Sequence, residues 1–420
     1  MTAHSPISSP LRARSGLVFL PLALLAGLLL AACDTAPPPG PTFATRDSAG
    51  VTLAENFGEP PVGENGWRIG SEPVLQIGTL EGEDAYMFQR IWGATRLSNG
   101  VIAVVDNLAS ELRIYSPTGE HLNTFGRKGE GPAEFDSPVL MGALPGDTLV
   151  VVDRLLRRVN LYHPDQGFIR GATATPEIQG YLLTVGMFGS GAVMIWDSQW
   201  TQEMPNGFFR FPIRYLSVEL DGSIGHDFGE HLGDETVYSS RAEGEGTMVL
   251  STTLPFGKGP SAAVAGDRFF YSSQDRYEIQ VTDEAGRLLR IIRRDLAPRP
   301  VTEDHRAELI EGMEDQADDN DQMREFRRMM RDAPIPDFHP ALGTIYADAL
   351  GYLWVEETRM PDEEVRHTTL FDPEGRMVGQ VVLPARVQVQ EIGADYLLGR
   401  WTDDLGVNYL RMYELERPTD

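Results

Sequence analysis

The chain has one cysteine, Cys33, in 420 residues, so no disulfide can form within it. Basic side chains are scarce: 36 Lys and Arg stand against 62 Asp and Glu, for a formal charge of −26. A chain this acidic lacks the cationic footprint of a nucleic-acid binder, which excludes that partner class. Long apolar runs are also missing. The most extended, Leu17–Leu30, is interrupted by Pro21 and is too short to span a bilayer comfortably. Familiar catalytic signatures are absent as well. There is no Gly-x-Ser-x-Gly elbow, and no helix carries His-Glu-x-x-His.

What is present begins with a leader. Arg12 and Arg14 precede the apolar run, the layout of a secretory signal. Leu30-Ala31-Ala32-Cys33 follows, and it resembles a bacterial lipoprotein box. The plainer alternative is an ordinary signal peptide with a coincidental cysteine. On the lipoprotein reading, residues 1–32 are the signal peptide and Cys33 takes the lipid, diacylglycerol with palmitate. The chain is then anchored in a bacterial cell envelope, on a periplasmic or outer surface. An acylated Cys33 cannot serve as a nucleophile. Residues 33–41 (CDTAPPPGP) are a proline-rich tether, and 42–66 are expected to form a hairpin and a loop.

From there a repeat organises the chain. Ile77–Tyr115 and Phe125–Tyr162 align so that Phe88 meets Phe135, Asp106 meets Asp153 and Tyr115 meets Tyr162, each 47 positions apart. Such a period marks a unit that buries its faces only against its neighbours. Turns rich in Asp, Pro and Gly recur at 116–119, 164–167, 221–222, 283–286 and 372–375. The strands before them (VIAVVD, TLVVVD, AVMIWD, RFFYSS, YLWVEE) are apolar on both faces, as in sheets sandwiched between sheets. These features predict an all-β, six-bladed β-propeller over 67–416 with four-stranded antiparallel blades. The last blade lacks a strand at the C-terminus, and Val74–Gly78 (VLQIG) is expected to supply it. A helical insertion is predicted around 299–340, between blades four and five. Its two helices flank the acidic stretch Glu314–Asp321, and Met323, Phe326, Met329 and Met330 share one face.

The Gly126–Phe135 loop (GRKGEGPAEF), followed by an apolar strand ending in Asp, resembles the NHL-type repeat of six-bladed propellers. With DSAGVTL and DALGYLWV (Asp348–Val355), the chain resembles bacterial six-bladed β-propeller lipoproteins. That resemblance implies the fold and implies no reaction. Blades three and four depart from the repeat, with Ser273 where others carry an acid.

Two chemical readings stay open. Asp106, Asp153, Asp197 and Glu356 sit at equivalent strand ends and can hold a hard cation such as Ca²⁺ near the axis, as in lactonase-like propellers. Alternatively, each accepts N–H bonds within its own loop. No metal and no cofactor are expected on the second reading. His226-Asp227-Phe228-Gly229-Glu230-His231 lacks zinc-site spacing, and Asp318-Asp319-Asn320-Asp321 lacks a calcium loop's glycine and distal Glu. The glycines of 126–131 are not followed by a strand–loop–helix phosphate cradle. Loop lengths point elsewhere. Short connections fall on one face, while 79–90, 127–138, 199–212, 230–260, 302–331 and 357–366 are long and fall on the other. Arg127, Lys128, Phe208, Phe209, Arg210 and Phe211 are therefore the candidate ligand surface, together with the insertion. The expected protein is a monomeric binding module for a protein or extended polymer. The alternative is a metal-dependent hydrolase, lactonase or lyase at the axial mouth.

Overall fold

In the computed structural model, the described residues are 42–61, 66–178, 180–198, 206–243, 246–314, 321–360, 363 and 365–418. The leader, Cys33 and the tether lie outside them, as do residues 315–320 of the acidic stretch.

The described strands form six sheets. The first comprises Ile91–Arg96, Ile102–Asp106, Glu111–Tyr115 and His121–Phe125; the second Pro138–Leu144, Thr148–Asp153, Arg158–His163 and Gly167–Thr173. Ile102–Asp106 is buried throughout, because both of its faces meet other sheets. Each large apolar cluster draws on two successive sheets. Val105 and Leu112 of the first meet Leu149 and Val151 of the second, and Val150 and Val152 of the second meet Val193 and Ile195 of the third. At the far end of the chain, Leu398 and Leu410 of the sixth sheet meet Ile102 and Val104 of the first.

The innermost strands run in one direction. Ala94, Leu140–Ala143, Met187, Ala265, Ala347 and Gln390–Ile392, from the C-terminal ends of the first strands of all six sheets, line one cavity of about 870 Å³. The protein is mostly β and propeller-like in this sense: largely antiparallel sheets stand around a common axis and pack face to face.

Both ends of the described chain join this array. The hairpin Phe43–Ser48/Val51–Asn56 lies on the outer edge of the fourth sheet, with Val51–Asn56 parallel to Leu288–Arg294. Leu75–Ile77 and Arg68–Ile69 pair with Asn408–Glu416, the last strand of the sixth sheet. Arg417 then lies over the Trp67 ring at 4.7 Å and donates to the Gly393 carbonyl at 2.7 Å.

The third sheet departs from the sequence expectation. The stretches read as long loops at 199–212 and 230–260 are mostly strand where they are described: Gly207–Val218, Ile224–Glu243 and Gly246–Thr253 (199–205 and 244–245 lie outside the described residues). Pro212, Gly229 and Gly233 look like breakers, but register shifts between Arg210/Pro212 and Tyr215/Leu216 absorb two of them, and Gly229 takes a φ of +80°. The sheet therefore continues as a three-stranded arm. The insertion contains helices α1 (Glu303–Glu314) and α2 (Asp321–Asp332). Phe326, Met329 and Met330 of α2 pack on Val237 and Leu254 at the base of the arm, the face that the Met/Phe spacing marked.

Candidate functional site

Asp106 and Asp153 end the second strands of two sheets, and both are fully buried. Asp106 accepts from the backbone N–H groups of Gln89 and Arg90, each at 2.9 Å. Asp153 accepts from Asp136 at 2.7 Å and Ser137 at 3.3 Å, the positions 47 residues on, and also from Leu155 and Leu156. The repeated carboxylate thus pins the loop that enters each sheet. The repeated aromatics lie beneath it, Phe88 against Tyr115 at 6.1 Å and Phe135 against Tyr162 at 5.6 Å.

The other two candidates have different partners. Burial raises the Asp197 carboxyl, with Arg214 and Arg157 opposing. Glu356 pairs with Arg366 and accepts from the Tyr346 hydroxyl at 2.8 Å. Among the described residues, no three His, Cys, Asp or Glu side chains gather as ligands for an ion. In the His226–His231 segment, Asp227 pairs with Arg214, whose guanidinium holds its carboxyl low. His231 stacks edge-on against Tyr271 at 4.4 Å, and burial lowers its pKa.

The two ends of the axis differ. The 870 Å³ cavity opens among the short turns, near Gly266-Asp267 and Asp348–Gly351. Glu391 lines it, and burial raises its carboxyl although it accepts from Tyr396 Oη at 2.6 Å and Arg96 N–H at 2.9 Å. Strand direction places the loop 126–137, the arm and the insertion at the opposite end. Arg127 and Lys128 are exposed there, but they pair within their own loop, with Glu134 and Asp136. Glu134 also caps Gly131 N–H at 2.8 Å, while Gly126, at φ +87°, lies so close to Phe135 that a Cβ would meet the ring at 2.5 Å. This motif is a self-contained turn. Phe209 and Phe211 stack at 5.0 Å and Phe208 is 45% exposed. Arg210 is a tie rather than a free cation: it holds Asp275 at 2.8 and 2.9 Å and the Gly233 carbonyl at 3.0 Å, fastening the arm to the fourth sheet.

At the root of the insertion, His339 Nε2 lies 3.0 Å from His305 Nδ1, with Phe256 packed on both rings. Sequence reading missed this pair, since 34 residues separate its members and no motif marks either.

No family model matches the chain, and no curated protein matches it. Among solved structures it is similar to a member of the DUF4221 family from Bacteroides vulgatus (12% identity, 84% of this chain and 100% of that one, TM-score 0.44). It is also similar to regucalcin, a calcium-binding protein from Agrobacterium tumefaciens (11%, 79% and 93%, 0.38). A third is an inactive virginiamycin B lyase from Staphylococcus aureus (11%, 80% and 82%, 0.38). These are distant likenesses.

Two imidazoles, His339 buried and His231 half-buried, make stability depend on pH. Burial holds His339 and His231 below their ordinary pKa, with His305 and Arg299 adding to the effect at His339. The folded state therefore keeps both neutral while the unfolded chain protonates near pH 6.5. Their contribution is complete above about pH 6.5 and is lost as pH falls towards and through the lower folded values. The melting temperature is expected to drop between about pH 6.5 and 5, and His231→Phe to flatten that slope. An unchanged slope in the variant would show that His231 is not responsible.

Proposed function

We propose that the six sheets are blades of one closed six-bladed propeller, anchored outside the cytoplasm through lipid on Cys33. It acts as a binding module for a protein or an extended polymer, at the end that carries the arm and the insertion. The observation that carries this reading is the buttressed arm. A sheet that continues beyond its blade is stiffened by α2 through Val237 and Met329 and tied down by Arg210, and it still presents Phe208 to solvent. Rigid elaboration on one end of a scaffold suits recognition, because little ordering entropy remains to be lost on binding. A hydrolase or lyase at the axial mouth is the second reading, favoured by the 870 Å³ cavity at the other end. Metal content of the purified protein bears on it directly.

A photo-crosslinking residue at Phe208 is expected to give adducts in intact envelopes, and one at Leu350, 51% exposed among the short turns, none. Adducts at 350 alone would place binding at the cavity end. For the anchor, Cys33→Ser should leave the precursor uncleaved, and the wild type should partition into detergent. Recovery of the wild type in the aqueous phase would sink the lipid assignment.

A further inference from the structure

At the end that carries the arm and the insertion, leucine is exposed at one repeated place. In three sheets the turn from the second to the third strand carries an acid and, two positions on, a leucine: Asp106 and Leu108, Asp153 and Leu155, Asp403 and Leu405. These leucines are 55%, 42% and 74% exposed. The acid shapes the turn, since Asp153 and Asp403 each accept the N–H of their own leucine, at 3.1 and 2.9 Å. The three sheets are the sixth, first and second, and shared contacts join their turns. Phe88 bridges to Asn408, just past Leu405, while the next residues hold the Leu108 turn: Gln89 and Arg90 N–H donate to Asp106, and the Arg90 carbonyl accepts from Asn107. Asn107 Nδ2 donates to Ser137 Oγ at 3.2 Å, and Ser137 N–H donates to Asp153 at 3.3 Å. Beyond them Leu182 N–H donates to the Arg154 carbonyl at 3.2 Å, which brings in the exposed Tyr181. Among the described residues, the short turns of the other end expose one large apolar side chain, Leu350.

Scattered exposed apolar side chains need no explanation, but an arc of them at a repeated position forms a surface. What covers it follows from where the chain enters. The described chain begins at Thr42, whose carbonyl accepts Phe57 N–H at 2.9 Å. Neighbouring Asn56 accepts Asp295 N–H at 2.9 Å, where the fourth sheet runs on into the insertion. Residues 33–41 lie between, and nine residues span at most about 30 Å however they run. An acidic chain is not drawn to anionic headgroups, so apolar contact is the attraction that remains. We infer that the arc of Leu405, Leu108, Leu155 and Tyr181 rests on the lipid bilayer, with the 870 Å³ cavity of the other end open to solution. This placement rests on the lipid reading of Cys33, and it narrows the proposed ligand to one met at the bilayer surface.

The test uses the full mature chain, purified in detergent and reconstituted into phosphatidylcholine vesicles that hold no other protein. Acylated Cys33 leaves no thiol, so Leu108→Cys, Leu405→Cys and Leu350→Cys each place a single fluorophore. Nitroxide quenchers carried on the lipid report contact with the bilayer. Emission from 108 and 405 should be lost and emission from 350 kept. Leu155→Ser/Leu405→Ser should reduce the loss at 108 and leave the melting temperature nearly unchanged, since both side chains are exposed. A protein that floats with the vesicles while 108 and 405 stay bright would overturn the contact and leave the anchor standing. Quenching at 350 would overturn it too. Labels shielded in native envelopes yet bright in pure lipid would do the same, because a protein would then cover the arc. A chain that does not float with the vesicles would remove the anchor itself, and the placement with it.

Discussion

Asp106→Ala is expected to destabilise the protein by about 3–5 kcal/mol, a large share of a typical domain's stability. Its carboxylate holds Gln89 and Arg90 N–H at 2.9 Å and faces Arg113, whose side chain is only 5% exposed, at 3.4 Å. Without it, two backbone donors lose their acceptor inside the protein. Arg113 keeps Glu111 at 2.8 Å and the Met87 carbonyl at 3.0 Å, which limits the damage to that range. Asp106→Asn retains one acceptor oxygen and should lose less. Urea unfolding followed by tryptophan fluorescence reads the difference. A loss below about 1 kcal/mol would mean that this repeated carboxylate is not what holds the loop. It would also favour the cation-ligand reading of the four acids.

Asn56→Ala should cost about 3 kcal/mol or more. Asn56 is fully buried and speaks to three backbone groups at once. Its Nδ2 donates to the Arg293 carbonyl at 3.0 Å and the Gly375 carbonyl at 2.9 Å, and its Oδ1 accepts from Met377 N–H at 2.7 Å. These bonds join the N-terminal hairpin to the fourth and fifth sheets. The approach is tight: Gly375 has a φ of +83°, and a Cβ there would meet Ile292 at 2.8 Å. No other side chain has this pair of donors and acceptor at this reach, so Asp and Leu should fail as well. The variant should melt lower, and protease should release the 43–56 hairpin first. An unchanged melting temperature with a protected hairpin would refute the clamp.

The hairpin itself was legible, because Asp47-Ser48-Ala49-Gly50 is local turn chemistry between two strand-forming runs. Its docking was not. Asn56 reaches Gly375 across 319 positions, and nothing local marks that contact. The third sheet misled for the opposite reason. Pro212, Gly229 and Gly233 are genuine local breakers, but a hairpin paired from Leu216–Asp227 out to Gly207–Tyr238 gains enough ladder bonding to carry them in bulges. The surface candidates divide in the same way. Loop length marked the end of the molecule that Arg127, Lys128 and Phe208–Phe211 share. It could not show that Arg127 and Lys128 are paired within their own turn, or that Arg210 is spent on Asp275.

By itself the sequence determined the repeat, the sandwiched strands, the amphipathic face of α2 and the N-terminal strand available to the last sheet. All of these follow from periodicity, turn chemistry and apolar runs, which are properties of neighbouring residues. Tertiary structure alone decided the use of each charge. Asp106 and Asp153 became loop clamps, and Arg210 a tie. The reason is physical: an ionic or hydrogen-bonded partner is chosen within about 4 Å in space, and the fold brings residues from the first and sixth sheets to that distance although some 300 positions separate them, as Arg400 and Ile91 do.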